Sequence, residues 1–239
     1  MSAPARDDAS DLRANLDAIR ARIASACASA GRDPAGVRLL PVSKTVGEAR
    51  LRRAYAIGLH ELGENKVQEA LAKSEAMADL PDLRWVLIGH LQTNKARDVA
   101  AFAAEFHALD SARLAEALDR RLQAAGRSLD VYIQVNTSAE ESKSGLPPEE
   151  VLGFLAELPR FDTLRVRGLM TLAIRSDDAE RVRACFRLLR TLRDRAREED
   201  LIGPGELSMG MSGDYEMAVE EGATTVRVGQ AIFGARLIG

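Results

Sequence analysis

A lysine, an arginine and two clusters of serine and glycine are the residues of this sequence best placed to do chemistry. Lys44 closes the apolar run LLPVS. A lysine snorkelling from a strand end into water is the commoner reading of such a position. The functional reading is an amine partly desolvated at the mouth of a site, whose lowered pKa would supply a neutral nucleophile for a carbonyl carbon. Within SMGMSGDYEMAVEEGATTVRVGQAIFG (208–234), Ser208, Gly210, Ser212 and Gly213 crowd one strand-to-helix turn. The backbone amides of such a turn, at a helix N-terminus, can approach an anion, in the usual phosphate arrangement. Gly229 follows Arg227 at the next strand end, where the missing side chain again permits close approach. Glycines that merely serve tight turns would account for either loop alone, and less well for both.

Other polar positions carry weaker signals. GENKVQEA (63–70) and IGHLQTNKARD (88–98) each read as a strand end running into a helix. There Asn65 or Glu64 faces a ligand, or Asn65 caps the helix. His90 is an acid or base, or holds a structural hydrogen bond, which is the commoner role, and Asn94 is a candidate cap. VNTSAEESKSG (135–145) is long enough to cover a mouth, with Lys143 read as a solvated charge, while Met170 and Met209 read as packing residues. His60, His90 and His107 lack helical metal-site spacing, and Cys27 and Cys185 sit apart in helix-like stretches. No metal site and no disulfide framework is expected, and a reducing cytoplasm is the default.

These residues need elements to hold them. Candidate strands run over 37–44, 59–65, 83–89, 105–110, 129–136, 164–172, 206–212 and 224–230, with amphipathic segments between them at 47–57, 66–79, 93–103, 111–125, 148–158, 178–199 and 214–222. An extra helix covers about 9–30, with Ser10 as the expected N-cap and Gly31 as its stop. Continuous Val/Ile/Leu runs fit strands buried on both faces, as parallel sheets require. The expectation is a single α/β domain spanning 1–239, a (β/α)8 TIM-type barrel with an extra N-terminal helix. An open doubly wound sheet is the alternative, although no Rossmann glycine fingerprint occurs. In a barrel the chemistry sits at the C-terminal strand ends, and those ends read Lys44, Glu64 with Asn65, His90, Asp110, Asn136, Met170 with Thr171, Ser212, and Arg227 through Gly229.

With these segments in hand, the chain resembles the pyridoxal 5'-phosphate (PLP) homeostasis protein family. The matching pieces are PVSKT (41–45), GENKVQEA (63–70), WVLIGHLQTNK (85–95), VNTSAEESKSG (135–145), RGLMT (167–171), LSMGMSGDYEMAV (207–219) and VRVGQAIFGAR (226–236), in the family's order. The resemblance implies one barrel, like the barrel domain of alanine racemases. It implies PLP bound as a Schiff base on Lys44, with the phosphate held by Ser212 and the backbone amides of Gly229 and Gln230. It also implies Arg227 facing the pyridine nitrogen and Asn65 lining the pocket. Two departures, Lys66 where the family usually has Tyr and His90 where it often has Pro, bear on access and packing at the rim.

A net charge of −3 gives no electrostatic case for nucleic acid or anionic membranes, and no run of about 18 apolar residues is present to span one. The N-terminus has no apolar core of a secretory signal. The expected function is a monomeric cytoplasmic carrier that holds PLP without steady turnover and passes it transiently to PLP-dependent apo-enzymes, with no catalytic residues. An amino-acid racemase ranks second, because the chain ends at Gly239 with no room for the second β domain such enzymes carry. A Schiff-base aldolase ranks third, since its lysine would stand on a middle strand rather than the first.

Overall fold

The structure, a computed structural model, describes residues 8–140 and 143–234. Eight parallel strands form one sheet in the order β1-β8-β7-β6-β5-β4-β3-β2. They are β1 (Arg38–Pro41), β2 (Glu61–Glu64), β3 (Arg84–Leu87), β4 (Glu105–Leu109), β5 (Leu129–Gln134), β6 (Leu164–Met170), β7 (Glu206–Ser208) and β8 (Thr225–Val228). Between them, on the outside, run α2 (Glu48–Ala56), α3 (Val67–Ala76), α4 (Ala96–Phe102), α5 (Ala112–Ala125), α6 (Val151–Glu157), α7 (Ala179–Glu198) and α8 (Tyr215–Glu220), with α9 (Gln230–Phe233) after β8. This is the expected (β/α)8 fold.

The sheet closes where β1 meets β2, through a single parallel bridge between Val42 and Gly63 and the bond from Ser43 N–H to Gly63 O at 2.9 Å. Pro41 explains why no ladder forms there. Arg38 and Val42 donate their N–H groups to β8, so by alternation the odd residues of β1 face β2. Pro41 stands among them with no N–H to give.

The predicted strands outrun the observed ones at their C-terminal ends, because the last residues of each leave the ladder to form the mouth. Ser212, expected at a strand end, lies four residues beyond β7 in a turn. Helices predicted over 93–103 and 148–158 each begin with a 3-10 turn, at Thr93–Lys95 and Pro148–Glu150. The N-terminal helix α1 (Asp8–Ser29) already includes Ser10, which is therefore inside the helix rather than its cap. Its stop is as expected. Gly31 adopts φ 64°, while Arg32 N–H bonds Cys27 O and Gly31 N–H bonds Ala28 O, the Schellman arrangement.

Register decides what fills the barrel. Arg38, Glu61, Arg84, Glu105, Asp130, Tyr132, Arg167 and Glu206 line a charged cavity of about 290 Å³ at the N-terminal end. Above them the Leu40 side chain packs against Gly63, 3.4 Å from where a Cβ would stand. Leu87, Phe106, Leu109, Val131, Ile133 and Leu207 are fully buried, consistent with strands covered on both faces.

Candidate functional site

Lys44 stands in the turn after β1, exposed to water, so the chain itself does not supply the partial desolvation expected for its amine. The next residue, Thr45, is β-branched yet adopts φ 64°, a left-handed conformation that such residues rarely accept. Asn65 follows β2 directly and is half-buried. It is not the helix cap, since Lys66 occupies that position, without a side-chain bond. Gly89 is obligatory beside it: a Cβ there would lie 2.0 Å from Asn65 O.

On the opposite side of β1, two turns open towards the same end. Gly210 leaves β7 at φ 93°, where a Cβ would strike Ala218 Cβ at 2.6 Å. Ser212 and Gly213 then lie exposed, and Asp214 holds the turn by accepting from Met211 N–H at 2.6 Å. After β8, Gly229 and Gln230 lead into α9, whose first N–H groups have no partner within the helix. Gly229 is needed for a second reason besides ligand approach: a Cβ there would press on Val42 O at 2.8 Å. Ser208, read as part of the turn, points into the barrel instead.

Arg227 is the third residue of β8 and is buried inside the barrel. Its Nη2 donates to Thr171 O at 2.8 Å and its Nη1 to Ser208 Oγ at 2.7 Å. Ser208 Oγ lies 2.9 Å from His107 Nδ1, and His107 Nε2 lies 2.9 Å from Glu105 Oε2. Glu105 in turn accepts from Arg38 at 2.9 Å. The chain has one consistent set of donors. Glu105 is an acceptor, so His107 gives it the Nε2 proton, Ser208 gives its hydroxyl proton to His107 Nδ1, and Arg227 donates to Ser208.

Charge follows this geometry. Burial pushes His107 down to about 4 against the pull of Glu105, so the ring is neutral. Burial raises Glu105, but the bonds from His107 and Arg38 outweigh it and hold the carboxyl at about 2. Burial lowers Arg227 to about 10, partly offset by Asp214, and it remains a cation near neutrality. A guanidinium has five N–H donors, and these bonds leave some of Arg227's unused.

The sequence reading assigned His107 no role and offered Ser208 only as part of the turn, although alternation in EFHALD places Glu105 and His107 on one face of β4. Three other expectations, at Thr171, Lys143 and Asn94, shift. Thr171 lies buried against Val135 O and Thr137 rather than at the rim. Lys143 is tethered to Ala173 O at 3.0 Å and to Glu140, so it is no free solvated charge. His90 is exposed, with Nδ1 3.5 Å from Asp110, and Asn94 lies in a 3-10 turn without capping. A separate cleft of about 490 Å³ runs along His90, Gln92, Asp110 and Arg113, away from Lys44, Ser212 and Arg227. The turns around β1, β7 and β8 therefore define the candidate site, not that cleft.

The comparisons with known proteins fit this geometry. A family model described as alanine racemase, N-terminal domain, matches residues 14–237. A protein of Pseudomonas aeruginosa named pyridoxal phosphate homeostasis protein is 45% identical over 230 residues, covering 95% of this chain and 96% of the relative. The chain belongs to the pyridoxal phosphate homeostasis protein family. Its members with the same name in Aquifex aeolicus and Escherichia coli K12 are 43% and 40% identical, covering 92% and 95% of this chain and 96% and 97% of theirs. Among solved structures, PipY of Synechococcus elongatus with PLP bound aligns at TM-score 0.78 and 40% identity, covering 89% of this chain and all of that one. An alanine racemase from Streptomyces coelicolor, at 22% identity and TM-score 0.68, covers 92% of this chain and 58% of its own, and shares the barrel fold.

Proposed function

We propose that this protein binds PLP at the C-terminal mouth of its barrel, joined to Lys44, and serves PLP homeostasis as a carrier without steady turnover. The observation that carries the reading is Arg227: a buried cation, bonded on one side, with donors to spare at the end of the barrel where Lys44 and two amide-bearing turns stand. When bound, the cofactor supplies an aldehyde carbon open to an amine and a pyridine ring able to accept electrons. Lys44 Nζ forms a C=N bond to that carbon, with the aldehyde oxygen and two amine protons leaving as one water. Ser212 and the amides of Gly229 and Gln230 donate to the phosphate, and Asn65 lines the pocket. Arg227 donates to the ring nitrogen. A permanent cation at that atom disfavours its protonation, and an unprotonated ring is a weaker electron sink. The residues present thus favour holding PLP over transforming an amino acid, and the cofactor passes onward to PLP-dependent apo-enzymes.

The test is borohydride reduction of the yellow PLP-loaded protein followed by peptide mapping. Pyridoxyl is expected on the peptide containing Lys44, and Lys44→Ala is expected to lose the absorbance band while retaining phosphate-anchored PLP. A label confined to Lys95 or Lys143 overturns the assignment.

A further inference from the structure

The backbone around Lys44 is held on both sides by side chains that the functional reading does not use. Lys73 Nζ donates to Ser43 O at 2.8 Å, gripping the peptide before Lys44. Glu69 Oε1 accepts from Thr45 N–H at 2.6 Å, gripping the peptide after it. Lys73 also bonds Glu64 Oε1 and Glu69 Oε1, each at 2.7 Å, and Ser43 Oγ donates to Glu64 Oε1 at 2.6 Å. Glu64 is fully buried and Lys73 is 13% exposed. Burial raises Glu64's pKa against the bonds from Lys73 and Ser43.

Stability alone is a poor account of this cluster, because a buried ion pair is often no better for folding than apolar groups of the same size. What the cluster visibly does is enforce a strained torsion. Thr45 at φ 64° persists only where its surroundings over-determine it. The strained residue adjoins the one lysine whose direction would matter most, and that lysine's own tip is left exposed. The root is rigid and the amine is free.

We infer that Glu64, Glu69 and Lys73 are positioning residues that fix the backbone at Lys44 and so aim its amine into the barrel mouth. The inference rests on Lys44 as the point of PLP attachment. The experiment compares Glu69→Ala with Glu69→Gln in the full chain, checking that both melt as folded proteins. Gln keeps an oxygen that accepts from Thr45 and Lys73, and Ala does not. Glu69→Ala is expected to slow the appearance of the PLP absorbance band on the order of tenfold or more, while Glu69→Gln stays close to wild type. Pyridoxine 5'-phosphate, which has the same ring and phosphate but no aldehyde, is expected to bind all three proteins equally. In the PLP-free proteins, acetic anhydride labelling of Lys44, read by mass spectrometry, is expected to differ between Glu69→Ala and wild type. Wild-type capture rates and wild-type labelling in Glu69→Ala overturn the clamp. If wild type itself never attaches PLP at Lys44, the functional reading fails, and the labelling comparison still decides the clamp. Should Glu69→Ala not fold, Thr45→Gly frees the same torsion without removing a buried partner. It is expected to slow capture on the order of threefold, and an unchanged rate overturns the proposal.

Discussion

Replacing His107 by Gln tests the hydrogen-bonded chain inside the barrel through its pH dependence. His107 is fully buried, and its pKa falls from the ordinary 6.5 to about 4 in the folded protein. Below pH 6.5 the unfolded chain takes up a proton there that the folded chain refuses until about pH 4. Stability at this residue is therefore complete above pH 6.5 and drains away as pH falls towards 4. Those two values give a loss of about 2 kcal/mol between pH 7 and pH 5. Glu105, held at about 2 in the folded protein, stays ionised there throughout that window, and it too is present in both proteins. Glu64, Asp110 and Asp214 have pKa values raised by burial, but they are present in both proteins and cancel in the comparison. Gln suits the position because its amide donates to Glu105 and its oxygen accepts from Ser208, as the neutral ring does. Urea unfolding of both proteins at pH 7, 6 and 5 gives the measurement. The wild type is expected to lose stability relative to the variant by the stated amount. Parallel curves would refute a neutral His107 and, with it, the donor order that ends at Arg227.

Three further outcomes are expected. Gly89→Ala forces a Cβ to within 2.0 Å of Asn65 O and is expected to destabilise the protein by about 3 kcal/mol in denaturant unfolding; an unchanged midpoint would mean that the strand ends at Asn65 and Gly89 are not in contact. Nitrogen-15 NMR of labelled PLP on the protein is expected to show an unprotonated ring nitrogen at neutral pH, and a protonated one would remove Arg227 from that contact. Incubation with L-alanine is expected to give no sustained racemisation, whereas turnover on the order of 1 per second would make the protein an enzyme.

The barrel was legible because its strands are buried on both faces, and runs such as VRLLPV and LDVYIQV say so without help. The strand ends were legible too, since Lys44, Asn65 and Gly229 all emerge at the C-terminal side. Which way each residue points was harder to read. Pairing slips by one residue between Val131 and Tyr132 on β5 and between Phe106 and Leu109 on β4, and each slip changes the face assigned by simple alternation. Ser208 was misplaced for this kind of reason. It looks like one serine of a polar turn, and only the alignment of β7 with β6 and β8 turns it inward to His107 and Arg227. The grip on Lys44 joins residues 20 to 30 positions apart; in sequence, Glu69 and Lys73 show only the spacing of an ordinary exposed helical pair.

The seam at Pro41 divides the candidate contacts unequally. Lys44, Ser212, Arg227, Gly229 and Gln230 hang from β1, β7 and β8, which are consecutive neighbours in the sheet. Asn65 alone hangs from β2, across the gap that a single bridge closes. The β1–β8 join is a four-residue ladder, whereas β1 meets β2 through one bridge, the bond from Ser43 N–H to Gly63 O, the Arg38–Glu61 ion pair and the bonds among Lys73, Glu64 and Ser43. Breathing of the barrel should concentrate along that line, where amide hydrogen exchange on β1 and β2 would record it. A molecule held at once by Lys44 and Asn65 spans the gap, so the loaded protein should exchange more slowly there than the empty one, and the other seven joins need not register its arrival.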